Sequence, residues 1–475
     1  MAAFYLENGV IEIRNPANGE LVGTLQEMTE AQLDEVVARA REGFKEWSAK
    51  TQYERNQILL KFVELLMDEE EKARIGLISC RETGKPLKQS MGEFGTIKAM
   101  TEGYCARAMH LYGNSFPSGT ELGKGIKDIV FTRREPLGVF VALMPFNYPV
   151  GLVGQKIIPA LVAGNSVIIK PPGDNPLAEI EIAKLMRKAG VPEKAVQWVT
   201  GRGSKVGDYL SAHPGINMIS LTGSTEVGKR VYANASKNIT RVCLECGGND
   251  AFLVLEDADV DLAVAEAMGS RVDNAGQICC ASKRFIVHRS IADEFALKLK
   301  AKLELLKIGD PMDPATDMGC LINERAAMEA QRQCDYTVAQ GATCILGGKR
   351  LGGAYFPPTV LTGVTAQMDV AKDMEIFACV FPVIPFDTDE EAIAIANSSV
   401  YGLMGAVFSR DYKRALRTAT AMECGGVCIN GGSCFRTGTQ PFGGYKQSGI
   451  GVEGMSRTLE LMTQEKTFAL KGVFL

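Results

Sequence analysis

Strand-length apolar runs alternate with helix-like stretches over much of the chain. Between residues 129 and 248 the strand-like runs are VFTRREPLGVFVALMP, SVIIKPP, QWVTG and NMISLTGS, and the segment PVGLVGQKIIPALVAG and a helix ending near Lys188 lie between them. Apolar strands of this kind are typical of a parallel sheet that carries helices on both faces. We therefore predict a doubly wound α/β domain here, whose ligands bind at the strand ends.

A second alternating series extends from Ala251 to about Asn430 and predicts a second α/β domain, with a boundary near Gly247-Gly248. The first hundred residues predict helices behind a short strand pair that turns between Asn15 and Gly19. Thr29-x-x-Gln32 and Thr51-x-x-Glu54 have the pattern of helix capping boxes. The first of these helices has one apolar face, formed by Leu33, Val36, Val37, Ala40, Phe44 and Trp47.

Composition narrows the class of partner. A chain of 475 residues predicts two or three domains, and 52 Lys plus Arg against 56 Asp plus Glu give a net charge of −4. This charge is too small to suggest a nucleic-acid or membrane-surface partner, so we expect a small-molecule substrate. The apolar run from Pro149 to Ile169 is interrupted by Lys156 and Asn165, which favours a buried helix and strand over a membrane span.

Thirteen cysteines, an odd number, and a start without a secretory signal predict a reducing, cytoplasmic protein. Cys243-x-x-Cys246 and the group Cys424, Cys428 and Cys434 lack the partner pair of a zinc site, so no metal is expected. A cysteine in a turn is then more plausible as a nucleophile than as half of a disulfide.

The stretch VDNAGQICCASKR places Cys279 and Cys280 in a glycine-containing turn after a helical run. From the residues alone, either thiol could be the nucleophile. None of the three histidines is near in sequence, which argues against a Cys/His mechanism. Glu245, an acid in an apolar strand before Gly247-Gly248, is the more available base, although a structural carboxylate is as plausible.

Three strand-end segments are candidates for ligand binding. Gly223 to Gly228 lies between an apolar strand and a helix, where amides favour phosphate, although an ordinary turn with a Ser224 cap is as plausible. Lys170 ends another strand and could reach a ribose or phosphate, or it could be a solvated lysine. Asn147 in MPFNYP could donate to an oxyanion or only form a turn.

Together these residues resemble the NAD(P)-dependent aldehyde dehydrogenases over nearly the whole chain. The shared motifs are PFNYP, Lys170, TGSTEVG, LECGGND, Asn274-x-Gly-Gln-x-Cys279, Glu375-Ile-Phe377 and PFGGYKQSG. The resemblance implies Cys279 as nucleophile, an oxyanion hole from Asn147 and the Cys279 amide, and Glu245 as the base for water. It also implies the cofactor contacts, which are Lys170, Gly223, Ser224, Gly228, Glu375 and Phe377.

Four positions depart from the family pattern. Ala378-Cys379 replaces the usual Gly-Pro, Val272 replaces a common Phe, and Gly173 stands where many NAD-preferring members carry a glutamate. Without that carboxylate to repel a 2′-phosphate, we expect NADP acceptance, with NAD as the alternative. The branch resembled includes glyceraldehyde-3-phosphate, lactaldehyde and succinate-semialdehyde dehydrogenases, so Arg436 and Tyr148 are predicted substrate contacts, although Arg436 could equally be a surface arginine in a loop.

The resemblance implies a Rossmann-like cofactor domain (residues 1–115 and 137–247), an α/β catalytic domain (248–447) and an oligomerisation element (116–136 and 459–475). The tail ends in strand-like FALKGVFL, whose free edge favours pairing with another subunit in a homodimer or homotetramer. The predicted reaction is oxidation of a small, anionic or hydroxylated aldehyde to its acid. The alternatives are acylation of coenzyme A and a non-catalytic binding protein on the same fold.

Overall fold

The computed structural model describes residues 5–7, 9–119 and 127–474. The strands are β1 (Tyr5–Glu7), β2 (Val10–Arg14), β3 (Leu21–Gln26), β4 (Ser115–Phe116), β5 (Ile129–Pro136), β6 (Val139–Leu143), β7 (Ser166–Lys170), β8 (Val196–Trp198), β9 (Met218–Thr222), β10 (Arg241–Glu245), β11 (Asp250–Val254), β12 (Ser282–His288), β13 (Thr343–Leu346), β14 (Thr359–Thr362), β15 (Val380–Phe386), β16 (Tyr401–Gly402), β17 (Gly405–Phe408), β18 (Val427–Ile429), β19 (Tyr445–Lys446), β20 (Gly449–Ile450) and β21 (Thr463–Leu470). The helices are α1 (Glu30–Ser48), α2 (Gln52–Leu66), α3 (Glu69–Thr83), α4 (Leu87–Ala108), α5 (Val153–Val162), α6 (Leu177–Ala189), α7 (Asp208–Ser211), α8 (Thr225–Ala235), α9 (Val260–Val272), α10 (Arg289–Leu303), α11 (Glu324–Ala339), α12 (Asp389–Asn397), α13 (Tyr412–Ala421) and α14 (Met455–Leu461).

The first large sheet has the strand order β20-β10-β9-β6-β7-β8, and all of its strands except β20 run parallel. Numbered by their order in the chain, the parallel strands follow 5-4-1-2-3. After β6 the chain continues to β7 on one side, and after β9 it continues to β10 on the other side. A crevice therefore opens at the carboxyl ends of β6 and β9. The predicted run VFTRREPLGVFVALMP divides at Gly138 (φ +133°) into β5 and β6, which belong to different sheets.

The second large sheet has the order β13-β14-β15-β12-β11-β17-β18, with only β13 antiparallel among these paired strands. The chain passes from the first sheet to the second between Glu245, which ends β10, and Asp250, which begins β11. The predicted α/β fold is therefore confirmed. A cluster of buried rings, including Phe252, Phe285 and Phe408, forms the centre of the second core.

A third sheet, β21-β5-β4, pairs the tail with the segment before β6 through eight antiparallel residue pairs. Within the described residues, the outer edge of β21 has no strand partner. The predicted oligomerisation element also contains residues 120–126, which lie outside the described residues. The domain bounds drawn from the sequence stay a prediction.

Local predictions from the sequence are confirmed at several elements. Both capping boxes form, at Thr29 and Thr51. The run after Pro149 folds as helix α5 and strand β7, separated by Gly164 in the left-handed region (φ +95°). Among the described residues, every helix is too short or too polar to cross a bilayer.

Candidate active site

The turn that bears Cys279 has an unusual backbone. Asn274 (φ +48°), Ala275 (φ +53°) and Gly276 (φ +79°) are consecutive left-handed residues at the end of α9. A non-glycine residue in this region costs of order 1 kcal/mol, so the surrounding packing must hold the turn in place. A Cβ on Gly276 would meet the carbonyl carbon and oxygen of Ala378 at 2.5 Å, so only glycine fits this close approach.

Asn147, which follows β6, is joined to this turn by hydrogen bonds in both directions. Asn147 Nδ2 donates to the carbonyl oxygen of Gln277 at 2.9 Å. In the other direction, the carbonyl oxygen of Asn147 accepts a hydrogen bond from Asn274 Nδ2 at 2.9 Å. Lys85 Nζ donates to that same carbonyl oxygen at 2.6 Å. Asn147 is 6% exposed, so its amide is a fixed donor beside the turn from Asn274 to Cys279, called the thiol turn below.

Two cavities, of about 480 and 470 Å³, meet at this turn, and Asn147, Thr222 and Cys279 line both. The first cavity lies at the strand ends of the first sheet. Of the predicted cofactor residues, its walls include Lys170, Gly223, Ser224, Glu375 and Phe377. The second cavity brings together Tyr148, Glu245 and Arg436, with Cys280 and Cys434 also in its wall. The structure thus assembles nearly all the predicted site residues around Cys279.

Gly228 is the exception among the predicted cofactor residues. It lies outside the walls of the first cavity and packs α8 against the sheet, where a Cβ would meet Cys246 Sγ at 2.6 Å. Ser224 caps α8 by accepting a hydrogen bond from the Val227 amide at 3.4 Å, so the ordinary helix cap and a cavity position occur together. Burial lowers the pKa of Lys170 to about 8.

The carboxylate of Glu375 approaches the backbone between the two sheets. A Cβ on Gly247 would meet Glu375 Oε2 at 2.3 Å, so the missing side chain makes room for this carboxylate. Phe377 lies edge-on to Phe146, with ring centroids 5.9 Å apart.

The substitution Ala378-Cys379 leaves a buried, ordered turn. Both residues are at most 1% exposed, and Ala378 packs against Gly276. The buried Arg271 donates to the carbonyl oxygens of Ile376 and Val380, which flank the pair. Val272 packs against the core of the second sheet and is not part of the wall of either of the two cavities.

Glu245 is the last residue of β10 and is 5% exposed. Burial raises the pKa of its carboxyl well above the usual value, and the nearby charge of Glu453 raises it further, while Lys156 opposes the shift. Lys156 Nζ donates to Glu453 Oε1 at 2.8 Å and to Ser220 Oγ at 2.9 Å. A carboxyl of raised pKa at a cavity wall is suited to general acid–base chemistry.

The two neighbouring thiols differ in position. Cys279 lines both cavities, whereas Cys280 lines only the second and lies 4.0 Å from Cys434, Sγ to Sγ. The hydrogen bond with Cys280, and then burial, raise the pKa of Cys279 well above the usual value. The raised pKa favours the protonated thiol, so nucleophilic attack by this group would require loss of a proton.

The second cavity has polar groups of both signs. Arg436 Nη1 donates to Gln155 Oε1 at 2.9 Å, its Nη2 lies 3.7 Å from Glu453 Oε2, and that buried Nη2 has no hydrogen-bond acceptor among the described residues. Tyr148 Oη donates to Asp273 Oδ2 at 2.5 Å, and Lys85 Nζ lies 3.8 Å from the Tyr148 ring centroid. The cavity thus offers a cation and a carboxylate to a substrate.

The sequence profile of the aldehyde dehydrogenase family matches residues 5–468. The chain belongs to this family. It is 35% identical over 463 residues to 3-sulfolactaldehyde dehydrogenase of Pseudomonas putida (97% of this chain, 93% of the relative). It is 36% identical over 450 residues to mitochondrial succinate-semialdehyde dehydrogenase of Arabidopsis thaliana (94% and 84%). Among solved structures, the glyceraldehyde-3-phosphate dehydrogenase GapN of Methanocaldococcus jannaschii, complexed with NADP, superposes with a TM-score of 0.90 at 32% identity (97% and 98%).

Several buried charges of this aldehyde dehydrogenase were not found from the sequence. Lys85 and Glu93 form an ion pair of 2.5 Å beneath Asn147, and Lys156 pairs with Glu453 beside Glu245. A lysine inside an otherwise apolar run, as at Lys156, was the available signal for a buried pair. Its partner is 297 residues away, and the sequence has no local sign of it.

Proposed function

We propose that this aldehyde dehydrogenase oxidises a small, anionic or hydroxylated aldehyde to the carboxylic acid, with NADP or NAD as hydride acceptor. The position of Cys279 where the two cavities meet carries the proposal. One cavity is then open to the cofactor and the other to the aldehyde, so the thiol stands between the two reactants.

In the first half of the reaction the Cys279 thiol loses its proton and Sγ attacks the aldehyde carbon. The developing oxyanion accepts hydrogen bonds from Asn147 Nδ2 and the Cys279 amide, and one such donor contributes roughly 3 kcal/mol. A bound nicotinamide supplies the hydride acceptor. The product of this half-reaction is a thioester on Cys279.

In the second half Glu245 removes a proton from water, which attacks the thioester and releases the acid. The raised pKa of its carboxyl in the second cavity supports this role. Coenzyme A acylation requires no such base, so Glu245 favours hydrolysis over that alternative. The complete set of thiol, amide and carboxylate likewise argues against a non-catalytic protein.

The first cavity fits a dinucleotide. It opens at the carboxyl ends of β6, β7 and β9, and a Cβ on the exposed Gly203 in its wall would meet no atom within 4 Å, so the backbone is accessible there. Lys170, Gly223 and Ser224 would hold the adenosine ribose and pyrophosphate, and Glu375 and Phe377 the nicotinamide end. Gly173 places no carboxylate against a 2′-phosphate, which favours NADP.

The second cavity suits a substrate with an anionic group. Arg436 Nη2 has no hydrogen-bond acceptor among the described residues, so it could donate to such a group beside its 3.7 Å ion pair with Glu453. Asp273, hydrogen-bonded to Tyr148, offers an acceptor for a substrate hydroxyl. The aldehydes in the names of the relatives, 3-sulfolactaldehyde and succinate semialdehyde, are anionic.

The third sheet, β21-β5-β4, supports the predicted homodimer or homotetramer. The outer edge of β21 is unpaired within the described residues and is eight residues long. An exposed edge of this length favours pairing with another subunit.

The test is oxidation of neutral and anionic aldehydes of matched length, with NAD and NADP in parallel and with and without coenzyme A. We expect an acid product independent of coenzyme A and a higher kcat/KM for the anionic aldehydes. Arg436→Ala should lower kcat/KM for the anionic aldehydes by about tenfold or more and leave the neutral ones nearly unchanged. An equal loss on both classes would remove the anion contact, and a coenzyme A thioester product would replace hydrolysis with acylation.

A further inference from the structure

Lys283 lies directly behind the turn of Cys279, at the start of β12. Its Nζ donates to the carbonyl oxygens of Cys279 at 2.5 Å, Ile278 at 3.0 Å and Ala281 at 3.3 Å. The same ammonium lies 3.3 Å from Glu375 Oε1. One cation therefore contacts both the thiol turn and the carboxylate at the nicotinamide end of the first cavity.

The burial of Lys283 makes this arrangement specific. Its side chain is 1% exposed, and a buried ammonium is stable only when its donors are well paired. Three of its four contacts are with backbone carbonyls of a single turn, so the side chain fixes the direction of that turn. Asp250, 2% exposed, is a second carboxyl near Lys283, and burial raises its pKa to about 7 while the charge of Lys283 opposes this shift.

Glu375 is held on its other side by the backbone. Gly248 N donates to Glu375 Oε1 at 3.4 Å, the same oxygen that Lys283 contacts, and Gly247 leaves space for the second oxygen. The ring of Phe377, two residues on, lies 5.8 Å from Lys283 Nζ. Any shift of this ammonium would therefore move Glu375 and the thiol turn relative to each other.

We propose that Lys283 is a positioning residue that fixes the Cys279 turn against Glu375, so that the thiol and the nicotinamide end of the cofactor keep a productive distance. The inference rests on the proposed roles of Cys279 and Glu375. Hydride transfer depends steeply on geometry, because a displacement of about 1 Å can cost about 100-fold in rate. Lys283 touches neither reactant and acts through the two groups that do.

The first test is Lys283→Met, which nearly keeps the length of the side chain and removes its positive charge and its N–H donors. Lys283→Arg is the conservative variant. We expect Lys283→Met to lower kcat at least tenfold, raise the KM of the cofactor, and move the pH midpoint of Cys279 alkylation by iodoacetamide upward. Lys283→Arg should recover the alkylation midpoint. Lys184→Met, an exposed lysine on α6, is the matched control and should leave all three unchanged.

Alkylation is followed by peptide mass spectrometry with fragmentation, which separates Cys279 from the adjacent Cys280 and from Cys434 in the same cavity wall. The titratable and charged groups that face the Cys279 thiol are Cys280, Lys283, Asp250 and Glu245, and only Lys283 changes in these variants. This readout requires no turnover. If the parent protein oxidises no aldehyde, the proposed function fails while the effect of Lys283 on the thiol is still measured.

Glu375→Gln tests the link between the two groups. If Lys283 acts through Glu375, the double variant with Lys283→Met should raise the KM of the cofactor by less than the product of the two single effects. If the two single effects on the cofactor KM simply multiply in the double variant, the link between Lys283 and Glu375 is overturned. A loss of kcat with an unchanged alkylation midpoint and cofactor KM would show a merely structural lysine and would also overturn the proposal.

Discussion

The side-chain amide of Asn147 donates a hydrogen bond of 2.9 Å to the carbonyl oxygen of Gln277, two residues before Cys279. This contact joins the end of a strand in the first sheet to the thiol turn beside the second. One Nδ2 hydrogen is donated to Gln277, and the other is available for the proposed oxyanion at Cys279. Orientation of the amide by its neighbours is what makes it an effective donor, since a preorganised dipole needs no rearrangement during the reaction.

Asn147→Ala should lower kcat by about 10²- to 10³-fold, because it removes one oxyanion donor. The KM of the cofactor should change little, since the first cavity keeps its other walls. Steady-state kinetics on one good aldehyde will measure both values. A kcat within threefold of the parent would exclude Asn147 from the oxyanion hole.

Lys85, which pairs with Glu93, holds Asn147 by donating a hydrogen bond to its carbonyl oxygen. The pair is buried, and Glu93 also accepts hydrogen bonds from the amides of Val150 (3.1 Å) and Gly151 (2.8 Å). Lys85→Met leaves the Glu93 carboxylate without its cation and should lower the free energy of unfolding by about 3–5 kcal/mol. The double variant Lys85→Met/Glu93→Gln should lose less than the sum of the two single variants, as measured by urea unfolding. Additive losses would argue that the two residues act independently.

Gly247→Ala should displace the Glu375 carboxylate, because the new Cβ would stand 2.3 Å from Oε2. We expect a higher KM for the cofactor, with a much smaller change in the alkylation rate of Cys279. Gly95→Ala on α4 is the control, since a Cβ there meets no atom within 4 Å. A cofactor KM equal to that of the parent would remove Glu375 from the cofactor site.

The pH dependence of turnover should follow the raised pKa values of Glu245 and Cys279. In the proposed reaction both groups act in their deprotonated forms. The hydrogen bond with Cys280 and burial favour the protonated form of Cys279, and burial and the charge of Glu453 favour the protonated form of Glu245. The rate should therefore increase with pH through the neutral range instead of levelling off above pH about 5, as an ordinary glutamate would give. Glu245→Gln should remove the contribution of the carboxyl from the rate of thioester hydrolysis. A flat profile in the parent would contradict the assigned base.

The sequence was sufficient to predict the fold and to select candidate residues that the structure brings to two adjoining cavities, because these residues lie at strand ends with recognisable local patterns. Asn147, Lys170 and Glu245 each follow or end an apolar strand, and parallel strands bring such positions to one edge of the sheet. The glycine-containing turn at Cys279 was predicted in the same way. For choosing Cys279 over Cys280, however, the resemblance to a family was needed.

What the sequence did not reveal depends on distant contacts. Lys283 reads as an ordinary lysine at the start of a strand, and only packing shows that it is buried against Glu375, 92 positions later. Gly228 was predicted as a cofactor contact from the family resemblance, but it lies outside the first cavity, and a Cβ there would meet Cys246 Sγ at 2.6 Å.

In the proposed reaction Cys279 carries the substrate as a thioester, and trapping this thioester would identify the nucleophile. Glu245→Gln should be mixed with an anionic aldehyde and NADP, quenched in acid within the first turnover, and mapped by peptide mass spectrometry. We predict one acyl group on the Cys279 peptide, fragmentation that places it on Cys279 and not Cys280, and one reduced cofactor per subunit. An acyl group on Cys280, or reduced cofactor formed with no acyl group on either thiol, would exclude Cys279 as the nucleophile.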